Sequence, residues 1–225
     1  MKEILISIQP KWCELIASGK KTVEVRKTRP KIDTPFKCYI YCTKDKHGWF
    51  DFLNKTRRDG KVIGEFVCDI IQSYECEFVN DNCYEEIANV HIDEDGDEIG
   101  FIEWSNDSGV PYEKIELHKE SCIQYNELKK YMGMGFGTFY GWHISDLVIY
   151  DKPKELSEFV VEGDCSCNDC NGCKWFERGN GYNVEDDCRL PYEYDFKSVK
   201  PLKRPFQSWG YVEGFGKLQS SKEKA

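Results

Sequence analysis

Residues 18–26 read Ser18-Gly19-Lys20-Lys21-Thr22-Val23-Glu24-Val25-Arg26. Polar and apolar side chains alternate with a period of two from Thr22 onward, and this pattern predicts a strand. Successive side chains of a strand point to opposite faces, so Glu24 and Arg26 share one face. We therefore expect a carboxylate and a guanidinium side by side.

The segments on either side of this run predict a mixed fold that is mainly β. Upstream lies an apolar strand, and Pro10 suits the first turn of a helix that ends at Gly19. Downstream, Ser121 is expected to cap a second helix. Segments rich in apolar, β-branched and aromatic residues predict strands at 4–8, 36–42, 61–71 and 138–150. Several strands with only two helices favour an α+β fold, built on a small β-barrel with flanking helices.

Charge is distributed very unevenly along the chain of 225 residues, whose net charge is -9. Residues 1–62 hold 15 Lys and Arg against 7 Asp and Glu, whereas residues 74–120 hold 2 against 15. The acidic total therefore comes from one segment, which we call the acidic insertion. A basic surface near the N-terminus, able to meet nucleic acid, remains compatible with this composition.

The chain shows no sign of a membrane or export signal. No apolar run approaches the length of about 18 residues that crosses a bilayer, and the first residues are too charged to open a signal peptide. We expect a cytoplasmic protein without a membrane partner.

The run Gly19-x-Lys21-x-x-Glu24-x-Arg26, which follows a strand and a short helix, resembles the ASCH domain family. The resemblance covers about residues 3–150 and implies a PUA-like barrel. Phage and prophage members look most similar. Weaker matches support this at residues 36–42, 141–144 and 205–209. The family implies a cleft that accepts nucleic acid, a nucleotide or a nucleobase-like ligand.

The resemblance carries binding roles over to residues of this chain. Lys21 can neutralise a phosphate or polarise a carbonyl, Arg26 offers a planar fork, and Glu24 can accept a hydrogen bond from a base amino group. Glu65, on a later strand, is expected to face the same cleft, and the ligand-binding set is completed by Gln9 and Trp142. The alternative is that Glu24 and Arg26 form a salt bridge without a ligand. If these residues only bind ligand, replacing Lys21 or Arg26 with Ala leaves the thermal midpoint nearly unchanged.

Some relatives look like amidohydrolases that use a Lys, a Thr three positions later and a downstream Glu. Lys21 matches the first and Glu65 could supply the last, but Glu24 stands where the Thr hydroxyl is required. A ribonuclease reaction would use Lys21, Glu24, Glu65 or His143 as proton carriers. We expect a binding protein rather than an enzyme, with a small hydrolase as the alternative.

Five of the 12 cysteines crowd into one short segment. Four thiolates match the tetrahedral coordination of Zn²⁺, and two-residue gaps let neighbouring thiols converge on one ion. The spacing therefore predicts a structural zinc site with four ligands from among Cys165, Cys167, Cys170, Cys173 and Cys188. An iron–sulfur cluster, disulfides or unligated thiols are the alternatives. Most other cysteines stand singly in apolar patterns and are expected to be buried thiols.

The predicted organisation is an ASCH-type domain at residues 1–155, with the acidic insertion at about 74–120, and a cysteine-rich extension at 156–225 that packs back on the barrel. The predicted function is binding of RNA, single-stranded nucleic acid or a modified nucleotide. A further alternative is a phage effector that binds a host protein through the acidic insertion.

Overall fold

The computed structural model describes part of the chain. The described residues are 3–45, 50–51, 56–77, 82–88, 91–92, 98–99, 102–104, 110–111, 116–133, 136–163 and 198–212. Most of them lie in strands, which confirms the predicted α+β, mainly β class.

One sheet has five strands in the order β14-β6-β3-β1-β17. Its members are β1 (Glu3–Ile8), β3 (Phe36–Cys42), β6 (Lys61–Cys68), β14 (Ser145–Lys154) and β17 (Trp209–Val212). β1 and β3 are parallel, and α1 (Pro10–Ala17) lies between them in the chain. The antiparallel pairing of β17 with β1 brings the C-terminal part of the chain to the strand that starts the fold.

The second sheet has six strands, five of them in the order β11-β8-β7-β13-β2. They are β2 (Val23–Arg26), β7 (Ile71–Glu77), β8 (Asn82–Ala88), β11 (Ile102–Trp104) and β13 (Phe136–His143), and β12 (Val110–Pro111) also pairs with β8. Two helices come next in the chain: α2 (Glu116–Ser121), at the end of the acidic insertion, and α3 (Tyr125–Met132), after it. The other described strands form three two-stranded pairs. These pairs are β4 (Phe50–Asp51) with β5 (Thr56–Arg57), β9 (His91–Ile92) with β10 (Glu98–Ile99), and β15 (Val160–Gly163) with β16 (Ser198–Pro201). A 3-10 helix lies at Leu156–Glu158.

The two main sheets are joined by short connections. Asp69 and Ile70 separate β6 from β7, and Ile144 separates β13 from β14, so the predicted strand at 138–150 is two strands in different sheets. Within the described ranges no hydrogen-bonded strand pair closes these sheets into a continuous barrel. The expected barrel is thus built as two sheets that share these connections.

The core comprises three clusters: one between the two sheets, one on the outer face of the five-stranded sheet, and one where the second sheet packs against α2 and α3. Ile4, Ile6 and Ile8 of β1 pack with Phe36 and Trp142 in one cluster. Leu5, between them, packs in another cluster with Tyr39 and Phe159. Both faces of this sheet are therefore apolar. Five singly placed cysteines were predicted to be buried thiols. Four are buried free thiols, Cys13, Cys38, Cys42 and Cys68, whereas Cys122 is a free thiol that is only partly buried.

Helix α3 begins later than the sequence suggested. Ser121 ends α2, and Gln124 is the N-cap of α3, where its side chain and that of Glu127 form a capping box. With this start, Leu128 lies in the core. Glu127 and Tyr131, which are four residues apart, share one face of the helix. No helix in the described ranges has the length and apolar character needed to cross a membrane.

Candidate functional site

The turn after α1 positions Lys21. Gly19 has a φ of 72°, the left-handed region that glycine enters at little cost. This turn lets the backbone N–H groups of Lys20 and Lys21 both donate to the carbonyl oxygen of Leu15, at 2.9 and 3.1 Å. The chain reverses direction beneath the helix, and the Lys21 side chain is completely buried.

Lys21, Glu24 and Arg26 form a continuous ion-pair chain, which we call the buried charge cluster. Lys21 Nζ lies 3.3 Å from Glu24 Oε2, and Arg26 Nη2 lies 3.0 Å from Glu24 Oε1. Two backbone oxygens complete the contacts: Ser121 accepts from Lys21 Nζ at 2.7 Å, and Ser7 accepts from Arg26 Nη2 at 2.7 Å. The Glu24 and Arg26 side chains are 7% and 8% exposed, so all three charges are withdrawn from water.

Strand pairing determines what surrounds the cluster. Glu24 of β2 lies directly opposite Trp142 of β13, and residues paired in this way project from the same face of a sheet. Trp142 is fully buried and lies 5.8 Å from Trp209, measured between ring centroids. The Trp12 ring centroid lies 5.1 Å from Lys21 Nζ. Aromatic side chains from three parts of the chain thus flank the three charges.

Two hydroxyl groups approach Arg26 from distant parts of the sequence. Ser208 Oγ accepts a hydrogen bond from Arg26 Nη1 at 3.4 Å. Tyr131 of α3 is also a neighbour: burial raises the pKa of its phenol, and the adjacent Arg26 guanidinium opposes that shift. Tyr131 remains 41% exposed, so it lies between the buried cluster and the solvent.

The electrostatics of the cluster favour an electron-rich ligand. Burial lowers the pKa of Lys21, and the Glu24 carboxylate partly restores it. With all three groups ionised, two positive charges face one negative charge. A phosphate, a carbonyl or a ring nitrogen is the type of group that this balance attracts.

Three buried polar atoms of the site have no hydrogen-bond partner within the protein. They are Glu24 Oε2, Arg26 Nε and Trp142 Nε1. Glu24 Oε2 has Lys21 Nζ as an ion-pair partner at 3.3 Å, although the geometry of this contact falls short of a well-formed hydrogen bond. Buried polar groups are nearly always hydrogen-bonded, so an acceptor and two donors left open in one place require an explanation.

Of the other predicted ligand residues, Trp142 lies beside the cluster and Gln9 is exposed at the N-cap of α1. Trp142 is also part of the main core, where its ring meets Phe36 edge to face at a centroid distance of 5.8 Å. The Gln9 carbonyl accepts from the N–H groups of Trp12 and Cys13, so its backbone starts the helix.

Glu65 does not face the cleft, and that prediction was wrong. It pairs with Tyr39, whose ring packs on the outer face of the five-stranded sheet. There it accepts hydrogen bonds from Tyr150 Oη and, at 3.1 Å, from Lys37 Nζ. Partial burial raises the pKa of Glu65, but the bonds from Tyr150 and Lys37 outweigh burial and lower it. The neighbouring residue Phe66 points to the core between the sheets instead.

His143 is also separate from the cluster. It lies opposite Val23, whose side chain belongs to the other face of β2. Its Nδ1 lies 2.7 Å from Asp69 Oδ1, and both side chains are partly exposed. Of the four proton carriers proposed for a ribonuclease, Lys21 and Glu24 lie together, whereas Glu65 and His143 do not join them.

The predicted zinc ligands, Cys165 to Cys188, lie outside the described residues, and the zinc site stays a prediction. Within the described ranges no group of three or more His, Cys, Asp or Glu side chains is arranged to hold a metal ion.

Sequence reasoning missed four contributors to the site: Trp12, Ser121, Tyr131 and Ser208. Each comes from a segment other than the strand that carries Glu24 and Arg26. The weak match at residues 205–209 was the one signal that pointed to Ser208. Ser208 reaches the site because Ser7 holds its segment. The Ser7 backbone N–H donates to the Ser208 oxygen at 2.8 Å, and the Ser7 hydroxyl donates to the Phe206 oxygen at 2.6 Å.

The N-terminal part of the chain is similar to a known protein family. The family model described as ASCH domain matches residues 6–94, which include the whole buried charge cluster. No curated protein matches the chain significantly. Among solved structures, the ASCH protein of Zymomonas mobilis is similar with a TM-score of 0.47 and 14% identity, over 99% of this chain and 94% of that one. A single-residue variant of the same protein is similar with a TM-score of 0.46 and 15% identity, over 100% of this chain and 96% of that one. The match over residues 6–94 agrees with the resemblance seen in the motif and spans less than half of this chain.

Proposed function

We propose that the buried charge cluster binds a nucleobase or nucleotide group, as part of RNA, another single-stranded nucleic acid or a modified nucleotide. The observation that carries the proposal is the set of open hydrogen-bonding atoms on Glu24, Arg26 and Trp142, in side chains that are more than nine-tenths buried.

Stability does not account for this arrangement. Replacing buried ion pairs with apolar residues of similar volume is often neutral or stabilising. Each buried polar atom left without a partner costs roughly 1–3 kcal/mol. A cluster that holds three charges and leaves three polar atoms open is thus expensive to the fold, and a ligand that satisfies these atoms recovers part of the cost.

The open atoms describe the chemistry of the ligand. Glu24 Oε2 requires a donor, whereas Arg26 Nε and Trp142 Nε1 require acceptors. Nucleobase edges present amino groups, carbonyl oxygens and ring nitrogens side by side. Trp12 and the half-exposed ring of Tyr131 offer faces on which a base can stack.

A small hydrolase is the second candidate, favoured by the lowered pKa of Lys21. A lysine whose ammonium is destabilised by burial can exchange a proton near neutral pH more readily than an exposed one. Two observations count against this candidate. Glu24 replaces the hydroxyl nucleophile, and Glu65 lies on the outer face of the other sheet. Binding therefore remains the first proposal.

The test is native mass spectrometry of the full chain with nucleosides, nucleotides and short oligomers, following the mass of the ligand over time. Glu24→Gln keeps the shape of the side chain but removes its charge, and Tyr131→Phe removes one hydroxyl. We expect both to weaken binding, about tenfold or more for Glu24→Gln.

Glu65→Gln is the matched control, because it makes the same chemical change on the outer face of the sheet. Equal loss in Glu24→Gln and Glu65→Gln, with both variants folded, would contradict the proposed site. A ligand whose mass changes with the wild-type chain but not with Lys21→Ala would favour the hydrolase.

A further inference from the structure

Four segments that meet around the buried charge cluster each carry a net positive charge. They are residues 10–20, 27–33, 125–133 and 201–208, and we call them the basic collar. Together they hold nine Lys and Arg and three Asp and Glu, a net charge of +6, in a chain whose total is -9. The remainder of the chain is therefore much more acidic than the surface around the site.

Contacts between side chains and backbone join the four segments into one surface. Lys11 Nζ of α1 lies 2.6 Å from Glu127 Oε1 of α3. Lys27 Nζ donates to the carbonyl oxygen of Met132 at 3.4 Å, which joins the segment after β2 to the end of α3. Trp209 Nε1, next to the last segment, donates to Thr28 Oγ1 at 3.1 Å. The collar segments therefore lie next to one another, with Lys27 beside Tyr131, instead of being spread over unrelated faces.

Lysines of the collar lie beside aromatic rings. Lys11 Nζ is 4.3 Å from the centroid of Trp12, Lys27 Nζ is 5.1 Å from that of Tyr131, and Lys129 Nζ is 5.6 Å from that of Tyr125. Proteins that hold single strands alternate cations for phosphates with rings for unstacked bases. A duplex keeps its bases stacked inside, so it cannot place a base in a buried cluster without opening.

We infer that the basic collar binds the phosphates on either side of a nucleotide held in the buried charge cluster, so that the ligand is a single strand rather than a free nucleotide. This inference rests on the proposed function of the cluster. The basic collar predicts two further properties: affinity increases with the length of the ligand, and it decreases as the salt concentration rises. Both properties can be measured separately from recognition of the nucleotide itself.

The test compares a mononucleotide with oligonucleotides of two to ten residues, as RNA and as DNA, by fluorescence anisotropy or calorimetry at several salt concentrations. We expect affinity to rise with length over the first few nucleotides and the oligomer to show a steep salt dependence. Each phosphate contact contributes about 0.7 to the slope of log affinity against log salt for a single strand.

The collar variant is Lys20→Gln/Lys130→Gln, which changes two exposed lysines outside the cluster. We expect it to reduce the salt slope by roughly 1 to 1.5 and to weaken oligomer binding while leaving mononucleotide binding unchanged. The matched control is Lys152→Gln/Lys154→Gln on the edge strand β14, where we expect no change in slope.

The outcomes separate the two proposals. Equal affinity for mononucleotide and oligomer would contradict the role of the basic collar, as would an equal salt slope in the collar and control variants. Neither result would contradict nucleotide binding by the buried charge cluster. In another outcome, the collar variant weakens oligomer binding while Glu24→Gln leaves it unchanged. That result would support phosphate binding by the basic collar and contradict nucleotide binding by the buried charge cluster. If wild type binds neither ligand, both proposals are wrong. A preference for RNA or DNA in the length series identifies the strand.

Discussion

Lys21 Nζ donates a 2.7 Å hydrogen bond to the backbone oxygen of Ser121, a residue 100 positions further along the chain. This bond joins the motif at residues 19–26 to the last residue of α2, at the end of the acidic insertion. The N–H of the next residue, Thr22, donates to the carbonyl oxygen of Glu120 at 2.9 Å and strengthens the same junction. The lysine of the motif is therefore part of the folded framework as well as of the candidate site.

Replacing Lys21 with Ala is expected to destabilise the protein by about 3 kcal/mol. The change leaves the buried Glu24 carboxylate with one cationic partner fewer and removes a buried hydrogen bond. Urea unfolding of the full chain measures this loss. Lys11→Ala is the control, because it breaks a solvent-exposed ion pair with Glu127 and should cost less than about 1 kcal/mol. The sequence predicted a nearly unchanged thermal midpoint for a lysine that only binds ligand; because Lys21 is fully buried and bonded to Ser121, we expect a loss of stability instead.

Gly19→Ala is expected to lower stability by roughly 1–2 kcal/mol through backbone strain alone. The φ of 72° disfavours a Cβ, and nothing lies within 4 Å of the position where that atom would stand. Gly19→Asn should cost less, because Asn tolerates the left-handed region better. Thermal unfolding of the two variants beside wild type measures the difference, and an Ala variant as stable as wild type would contradict the turn.

Protonation of Glu65 is expected to make the free energy of unfolding depend on pH in the acid range. Its pKa is lowered in the folded state, so it binds its proton more weakly there than in the unfolded chain, whose value is near 4.5. The resulting stabilisation is present above pH 4.5 and is lost as pH falls through the lower, folded pKa. Wild type should therefore exceed Glu65→Gln in stability at pH 7, and the difference should shrink below pH 4.5. Denaturant unfolding at pH 7, 5 and 3 measures this, and a gap that widens in acid would contradict the assigned hydrogen bonds.

The cysteine-rich segment is expected to bind close to one zinc ion per chain. Four thiolates around a tetrahedral ion leave no open coordination position, so the metal would stabilise structure without taking part in chemistry. Elemental analysis of freshly purified protein measures the content. Cys170→Ser should lower it, whereas Cys122→Ser, at a free thiol far along the chain from the segment, should not. A fully folded sample without metal would remove the zinc site.

Local sequence patterns determined the elements around the motif. Alternation from Thr22 to Arg26 predicted a strand with Glu24 and Arg26 on one face, and the structure has both as buried partners on β2. Gly19 ended α1 where expected, because the left-handed turn requires a residue without a Cβ. These features depend on backbone sterics and side-chain spacing over a few residues, which the sequence states directly.

Tertiary structure alone decided which residues join the site. Glu65 alternates with Phe66 on β6, but both faces of that sheet are apolar, so periodicity could not tell which face meets Lys21. Ser208 reaches Arg26 across 182 positions because β17 pairs with β1. Burial of the three charges likewise arises from packing of α1, α3 and the C-terminal segment around β2. Local patterns specify what an element is, whereas the energetics of burial and long-range pairing decide what it faces.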